Sequence, residues 1–333
     1  MPFDVPMAIG AFLVAIIVGM TGMGGGALMT PMLVTFFGVP PLTAVSSDLV
    51  AAAVMKPVGS IVHLRRGTVN LGLVKWLCVG SIPSAFGGVL IARALGDGED
   101  VQSIIKTALG VALLLASGGL AVRGYLALTD RAAQRTSDRK TAEPGSPAAT
   151  AAPEVVVRRA PTVVVGVIGG VVVGMTSVGS GSLIIIALLA LYPMLRANHL
   201  VGTDLVQAVP LVVAAALGHL LFGDFELSLT TALLAGSIPG VYLGSSVSSR
   251  APGGLVRRVL AFVLLASALN MFGLSNAAVA WMLIASLIVV SITWMILRKW
   301  NGLPAVPTGS RSAAKRHRDD QVSNKAQNPD LVT

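Results

Sequence analysis

The sequence predicts an all-α polytopic membrane protein, an inverted-topology repeat with two glycine-broken half-helix hairpins and about seven full spans. Three observations lead there. Of 333 residues, 54% are hydrophobic and only 12% charged, and the mean hydropathy is +0.81, which disfavours a water-soluble globule. Apolar runs of about 20 residues recur, the length a helix needs to cross a hydrocarbon core about 30 Å thick. The chain also repeats itself. Val18-Gly19-Met20-Thr21-Gly22-Met23-Gly24 returns as Val173-Gly174-Met175-Thr176-Ser177-Val178-Gly179, Asp48-Leu49 as Asp204-Leu205, His63 as His219, and Gly80-Ser81-Ile82-Pro83 unchanged as Gly236-Ser237-Ile238-Pro239. The offset drifts only from 155 to 156, which composition alone does not produce. Long runs without a period of two disfavour a transmembrane β-barrel.

Each half opens with an apolar stretch interrupted by glycine and hydroxyl residues: 7–18 and 27–37 in the first half, 161–173 and 182–192 in the second. Twelve helical residues reach about 18 Å, too short to cross. Each pair is therefore expected to dip and turn as a hairpin, with a single kinked crossing as the competing reading. Full spans are expected at 43–64, 71–93, 101–126, 199–222, 227–249, 255–273 and 276–298. The domains follow: a first membrane repeat over 1–126, a linker over 127–160, a second repeat over 161–273, an extra span over 274–298 and a polar tail over 299–333. The linker, with Arg131, Arg135, Arg139, Lys140, Pro144 and Pro147, reads as disordered.

The formal net charge of +9 concentrates in the linker, the tail and short loops, so it reports topology rather than a nucleic-acid partner. Arg65, Arg66, the linker, the loop with Arg250, Arg257 and Arg258, and the C-terminal tail are expected on the cytoplasmic side. Loops with Asp97, Glu99 and Asp100, or Asp224 and Glu226, are expected outside. These sides agree only if each opening stretch returns to the side it entered from. No Lys or Arg precedes the first hydrophobic run, so a cleavable signal peptide is not expected. The one cysteine, Cys78, excludes an internal disulfide and a cysteine-based metal site. Arg65, Arg66, Lys75 and Arg123 read as interface anchors. Trp76, Trp281, Trp294 and Trp300 suit an interfacial belt rather than a cofactor box.

The candidate substrate-binding residues lie in the two breaks. Thr21, Gly22, Gly24 and Gly25, with Thr176, Ser177, Gly179 and Ser180, offer backbone turning, amides at half-helix ends and hydroxyl donors, a set that favours an anion. Close packing through small residues is the bland alternative. No Lys-Ser/Thr follows the first break, so a nucleotide loop is not supported. Lys56 falls well inside span 43–64, where a charge is costly and should face a cavity or a partner. Pro57 after it removes a helix hydrogen bond. Asp48 and Asp204 occupy matching positions near span starts. They read either as helix-start acids or as coupling and gating groups that pair with Lys56 or carry a proton. His63 and His219 fall near span ends, where an interfacial histidine is ordinary. No HExxH motif, catalytic carboxylate pair or nucleophile elbow is present, so no catalytic residue, metal ligand or cofactor is expected.

The two openings, Ser46-Ser47-Asp48 with Gly202-Thr203-Asp204, the His63-to-Gly67 turn and the repeated Gly-Ser-Ile-Pro resemble the TauE/SafE family of sulfite-exporter-like permeases over about residues 7–273. The resemblance implies a bacterial inner-membrane permease that exports sulfite or a small organosulfonate, with the lipid bilayer as its surroundings and no enzyme activity. An anion channel, or a permease for another small solute, is the alternative, and a homo-oligomer is compatible with the sequence. The long linker, the polar tail and the mismatch of Lys56 with Val212 across the repeat depart from the pattern.

Overall fold

The computed structural model describes residues 4–300 apart from 22–24, 66, 68, 96–97, 142–156, 193–194, 196, 223–224 and 248–252. The described residues form helices and no β-sheet: α1 (Val5–Thr21), α2 (Gly26–Phe36), α3 (Pro41–Arg65), α4 (Leu71–Ala94), α5 (Glu99–Thr141), α6 (Arg159–Thr176), α7 (Leu183–Leu191), α8 (Ala197–Phe222), α9 (Leu227–Val247), α10 (Gly253–Met271) and α11 (Asn276–Trp300). Contacts divide the chain into two compact units, Met1–Ala280 and Trp281–Thr333. The second holds the end of α11. The first holds all ten earlier helices and everything described below.

Both breaks fall where the sequence places them, but the first limbs are longer than expected. α1 has 17 residues and α6 has 18, or about 26 and 27 Å at 1.5 Å per residue. Pro6 and Pro161 sit in first turns, where proline is tolerated. Gly19 and Gly174 each cost a helix only about 1 kcal/mol, so neither ends it alone. α6 stops at Ser177, which takes φ 59° and donates its N–H to the Val173 carbonyl at 2.8 Å. The second limbs are short, 11 residues in α2 and 9 in α7.

Each opening folds back on itself. Just past α7, the Tyr192 hydroxyl accepts from Arg158 N–H at 2.8 Å and pairs with Thr162 Oγ1 at 2.6 Å, at the start of α6. Just past α2, the Phe37 ring packs on Gly10 of α1. Phe37 and Tyr192 are counterparts at the 155-residue offset.

Packing crosses between the halves. α4 lies against α6 and α9 against α1, while α3 meets α8 and α5 meets α10. Glycine lets the first two pairs approach to backbone contact. A Cβ on Gly80 would lie 2.3 Å from the Val163 carbonyl oxygen, and one on Gly236 2.0 Å from that of Ala8. One helical stretch further, Gly88 meets Val171 and Gly244 meets Ile16 in the same way, at 2.6 and 2.2 Å. These contacts are reciprocal, because each glycine and each carbonyl has its repeat counterpart in the other pair. The Ser117 hydroxyl of α5 also donates to the Ala261 carbonyl of α10 at 2.9 Å.

Among the described residues, five helical segments are long and apolar enough to cross a bilayer, 71–94, 100–122, 159–176, 199–222 and 227–244, with shorter apolar helices at 5–20, 26–36, 258–271 and 276–289. α3 has 25 residues and carries Ser46, Ser47, Asp48, Lys56, Ser60 and His63, so this is the helix that holds the charged cluster. Large apolar side chains stand exposed in rows, such as Val5, Ile9, Leu13 and Ile17 on α1. Such a surface suits lipid rather than water.

α5 runs on through Thr141, past the expected span end at residue 126. Residues 127–141 contain Ala, Arg, Gln and Lys, which favour helix, and no glycine or proline interrupts them before Pro144. α6 likewise begins inside the expected linker. The remainder of that segment, 142–156, and the tail from 301 lie outside the described residues.

The glycine contacts generate a test. Gly236→Val places branched carbons against a backbone oxygen that cannot yield, so purified protein should lose roughly 1–3 kcal/mol of stability and melt several degrees earlier. Gly118, with nothing within 4 Å of an added Cβ, should accept Ala with no loss of melting temperature.

Candidate functional site

The two breaks touch. A Cβ on Gly26, the first residue of α2, would lie 2.1 Å from the Ser177 carbonyl oxygen and 2.6 Å from Ser177 Oγ. Only glycine fits there. Gly25, by contrast, is right-handed, and an added Cβ would meet only the Met55 methyl at 3.5 Å. The steric demand expected at the first break therefore falls on Gly26 rather than Gly25. Gly22 and Gly24 lie outside the described residues, and Thr21 ends α1 with its side chain not described.

Asp48 sits at the junction. Its Oδ2 accepts from Thr30 Oγ1 on α2 and from Ser177 Oγ in the second break, both at 2.7 Å. It is fully buried, and its Oδ1 has no hydrogen-bond partner among the described residues. α3 begins at Pro41, so Asp48 lies two turns in. The helix-start reading of this residue gives way to a bridging one, because the carboxylate is spent on two other elements.

Lys56, two turns further along α3, is 7% exposed and donates to Ser180 Oγ of the second break. Asp204 on α8 and Asp48 both act electrostatically on its ammonium. α3 is fastened to α8 at this level by Ser60 Oγ, which donates to the Leu205 carbonyl at 2.8 Å and to the Lys56 carbonyl at 3.0 Å. Asp204 is also buried two turns into its helix, and its Oδ1 accepts from Gln207 Nε2 at 3.3 Å. Gln207 Oε1 in turn accepts from Ser81 Oγ of α4 at 3.2 Å.

The remaining break residues divide. Thr176 spends its hydroxyl locally, donating to the Val172 carbonyl at 2.6 Å and accepting from Val178 N–H at 3.2 Å, so it closes its own turn. Gly179 holds φ 131°, a backbone state that a side chain would strain. Neither α2 nor α7 has a side-chain cap at its start, and at α7 the Gly179 carbonyl accepts from the Leu183 and Ile184 amides at 3.0 and 3.4 Å.

His219 corrects the interfacial reading. It is fully buried, with Nε2 on the Gly174 carbonyl at 2.8 Å and Nδ1 on Ser46 Oγ at 2.7 Å. A carbonyl only accepts, so Nε2 carries a hydrogen, and in the neutral ring Nδ1 accepts from Ser46. Thr30, Gln207 and the Ser46–His219 pair are site residues that sequence reasoning missed. Thr30 gives no signal in an apolar limb, whereas the recurrence of His63 as His219 was a usable one.

A groove of about 480 Å³ opens beside the break, lined by Ile104, Thr107, Val111, Leu115, Val172 and Thr176 among others. Its largely aliphatic walls offer an ion no charge.

Comparison with known proteins fits this architecture. The family model described as sulfite exporter TauE/SafE matches residues 7–271. The chain belongs to the TauE/SafE family. It is thus a multi-pass membrane transporter rather than an enzyme. It is 38% identical over 259 residues to the probable membrane transporter protein YjnA of Bacillus subtilis, covering 78% of this chain and 95% of that one. To the probable membrane transporter protein YdhB of the same organism it is 26% identical over 244 residues, 72% and 89% of the two chains. No solved structure matches.

The contact between the breaks sets an order of sensitivity. Gly26→Ala should abolish transport in vesicles and destabilise the purified protein, whereas Gly25→Ala should keep more than half of the flux. Equal tolerance at both positions would mean that the breaks do not pack as described.

Proposed function

We propose that this chain is a secondary-type permease that moves small anions, exporting sulfite or a small organosulfonate across the bacterial inner membrane. The observation that carries the reading is Lys56, the one buried Lys or Arg among the described residues, held against the second break by Ser180. A fixed cation in a low-dielectric interior attracts an anion strongly. Ser180 exchanges its bond to the ammonium for one to the anion, and the start of α2, which has no side-chain cap, adds partial positive charge. The family description names sulfite export, which supplies the substrate class.

In this reading the halves have opposite orientation. The reciprocal glycine–carbonyl contacts suit two copies related by a two-fold axis. Each opening folds back and so adds no crossing, leaving α3, α4 and α5 as an odd number of crossings before the second copy begins. With the basic loops inside, the N-terminus lies outside, and the linker and C-terminus are cytoplasmic. Single cysteines replacing Asp97 and Asp224 in a Cys78→Ser background should react with an impermeant maleimide on intact cells. A cysteine replacing Asp138 should not, and labelling there would reverse the orientation.

Flux of labelled sulfite, thiosulfate and sulfoacetate in reconstituted vesicles tests the function. Lys56→Gln keeps most of the size and loses the charge. Anion flux should fall at least about 10-fold, since a charge-assisted hydrogen bond is worth roughly 2 kcal/mol. Lys56→Arg should retain part of the flux. Unchanged flux in the Gln variant, or cation preference in the parent, would make Lys56 structural.

A further inference from the structure

The buried charges of the first unit do not balance for an anion carrier. Among the described residues they are Asp48, Lys56 and Asp204, each at least nine-tenths buried. With all three ionised, two carboxylates face one ammonium, an excess of one negative charge. An anion docking on Lys56 raises the excess to two, in surroundings where unbalanced charge is costly. Anion binding becomes favourable when a positive charge arrives with it.

The two carboxyl groups differ in how they could accept that charge. Asp204 Oδ1 already accepts from Gln207. Asp48 places both of its described donors, Thr30 and Ser177, on Oδ2, and its buried Oδ1 meets no donor among the described residues. A carboxylate spreads its charge over both oxygens, so the bare one is where the ionised form is least satisfied. A proton on Oδ1 leaves Oδ2 as a carbonyl oxygen, which still accepts both hydroxyls. Protonation therefore requires no partner to move.

The groups around Asp48 leave this assignment intact. α2 presents Thr30, the second break presents Ser177, and its own helix presents Lys56. α8 presents Asp204 and also His219, whose ring is held between Ser46 and the Gly174 carbonyl. α5 meets α3 through Gln102, which accepts from Leu42 N–H at 3.2 Å. α9 brings no buried titratable side chain among its described residues.

We propose that Asp48 is the proton-binding group of the transport cycle, taking one proton at Oδ1 as an anion docks on Lys56 and releasing it when the anion leaves. The step is a protonation alone: one O–H bond forms on the carboxylate as one O–H bond of a hydronium ion on the open side breaks and leaves water, and no bond forms to the anion. Anion and proton then travel together, so efflux follows the anion's own gradient and slows when the outside is acid. This rests on the anion-permease reading.

Infrared difference spectra of purified protein, with and without sulfite, thiosulfate or sulfoacetate, test the assignment beside labelled-anion binding. A carboxylic-acid C=O band should appear when the anion is added. The band should be lost in Asp48→Asn and kept in Asp204→Asn. Thr30→Val removes a donor to the carbonyl oxygen, so it should move the band to higher frequency and identify it even if the Asn variant does not fold. In vesicles, outside acid should slow wild-type efflux and leave Asp48→Asn efflux unaffected. Anion binding without the band, or a band that Asp204→Asn abolishes and Thr30→Val leaves in place, overturns the proton assignment and leaves the permease standing. If none of the anions binds, the permease reading falls and the proton site falls with it.

Discussion

A helix that stops inside an apolar layer leaves amide and carbonyl groups that neither lipid nor the helix itself can satisfy. The two breaks of this chain are buried among its own helices, and each is covered by the other half of the molecule. Gly26 lies on the backbone of Ser177, and Ser177 is bound by the carboxylate of Asp48. The order of demands follows from that contact. Position 26 must lack a side chain, Ser177 must hold a left-handed conformation that costs about 1–2 kcal/mol, and Asp48 must reach both breaks at once. The glycine-to-carbonyl seams of α4 with α6 and α1 with α9 bring the halves close enough for those demands to be met.

Reciprocity ends at the charged cluster. Asp48 and Asp204 are repeat counterparts, yet the partner Thr30 corresponds to Ile185, the partner Ser177 to Gly22, Lys56 to Val212 and Gln207 to Ala51. One scaffold thus supplies two buried carboxylates in unlike surroundings. A carrier gains from that difference, because identical groups at low dielectric would compete for the same proton and the same cation.

The scaffold was legible because its causes are local and written twice. Apolar run length sets the helices, and the offset of 155 or 156 residues identifies which glycines correspond. Chain ends of helices were less legible: α5 continues into a polar stretch whose residues favour helix by propensity, a weaker influence than hydropathy in a membrane sequence. Within the site, Lys56 and Asp48 were visible because a charge in an apolar run needs a partner. The partners were not visible. Thr30 looks like any small residue in an apolar limb, and only the fold puts it 2.7 Å from a carboxylate 18 positions away. His219 looked interfacial because sequence measures distance from a span end, whereas burial depends on what α6 lays over it.

The polar groups of the cluster are arranged as bridges rather than as a lining. Asp48 joins α3 to α2 and to the second break, Lys56 joins α3 to the same break, Ser60 joins α3 to α8, and His219 joins α8 to α3 and α6. A hydrogen bond contributes only about 1 kcal/mol net, and one to a charged group roughly twice that. On the proposed reading, an anion that competes for Lys56 and Ser180 weakens a join between two elements while it binds. Substrate binding and rearrangement are then linked through shared bonds, and a difference in affinity between two arrangements of the breaks suffices to shift their populations.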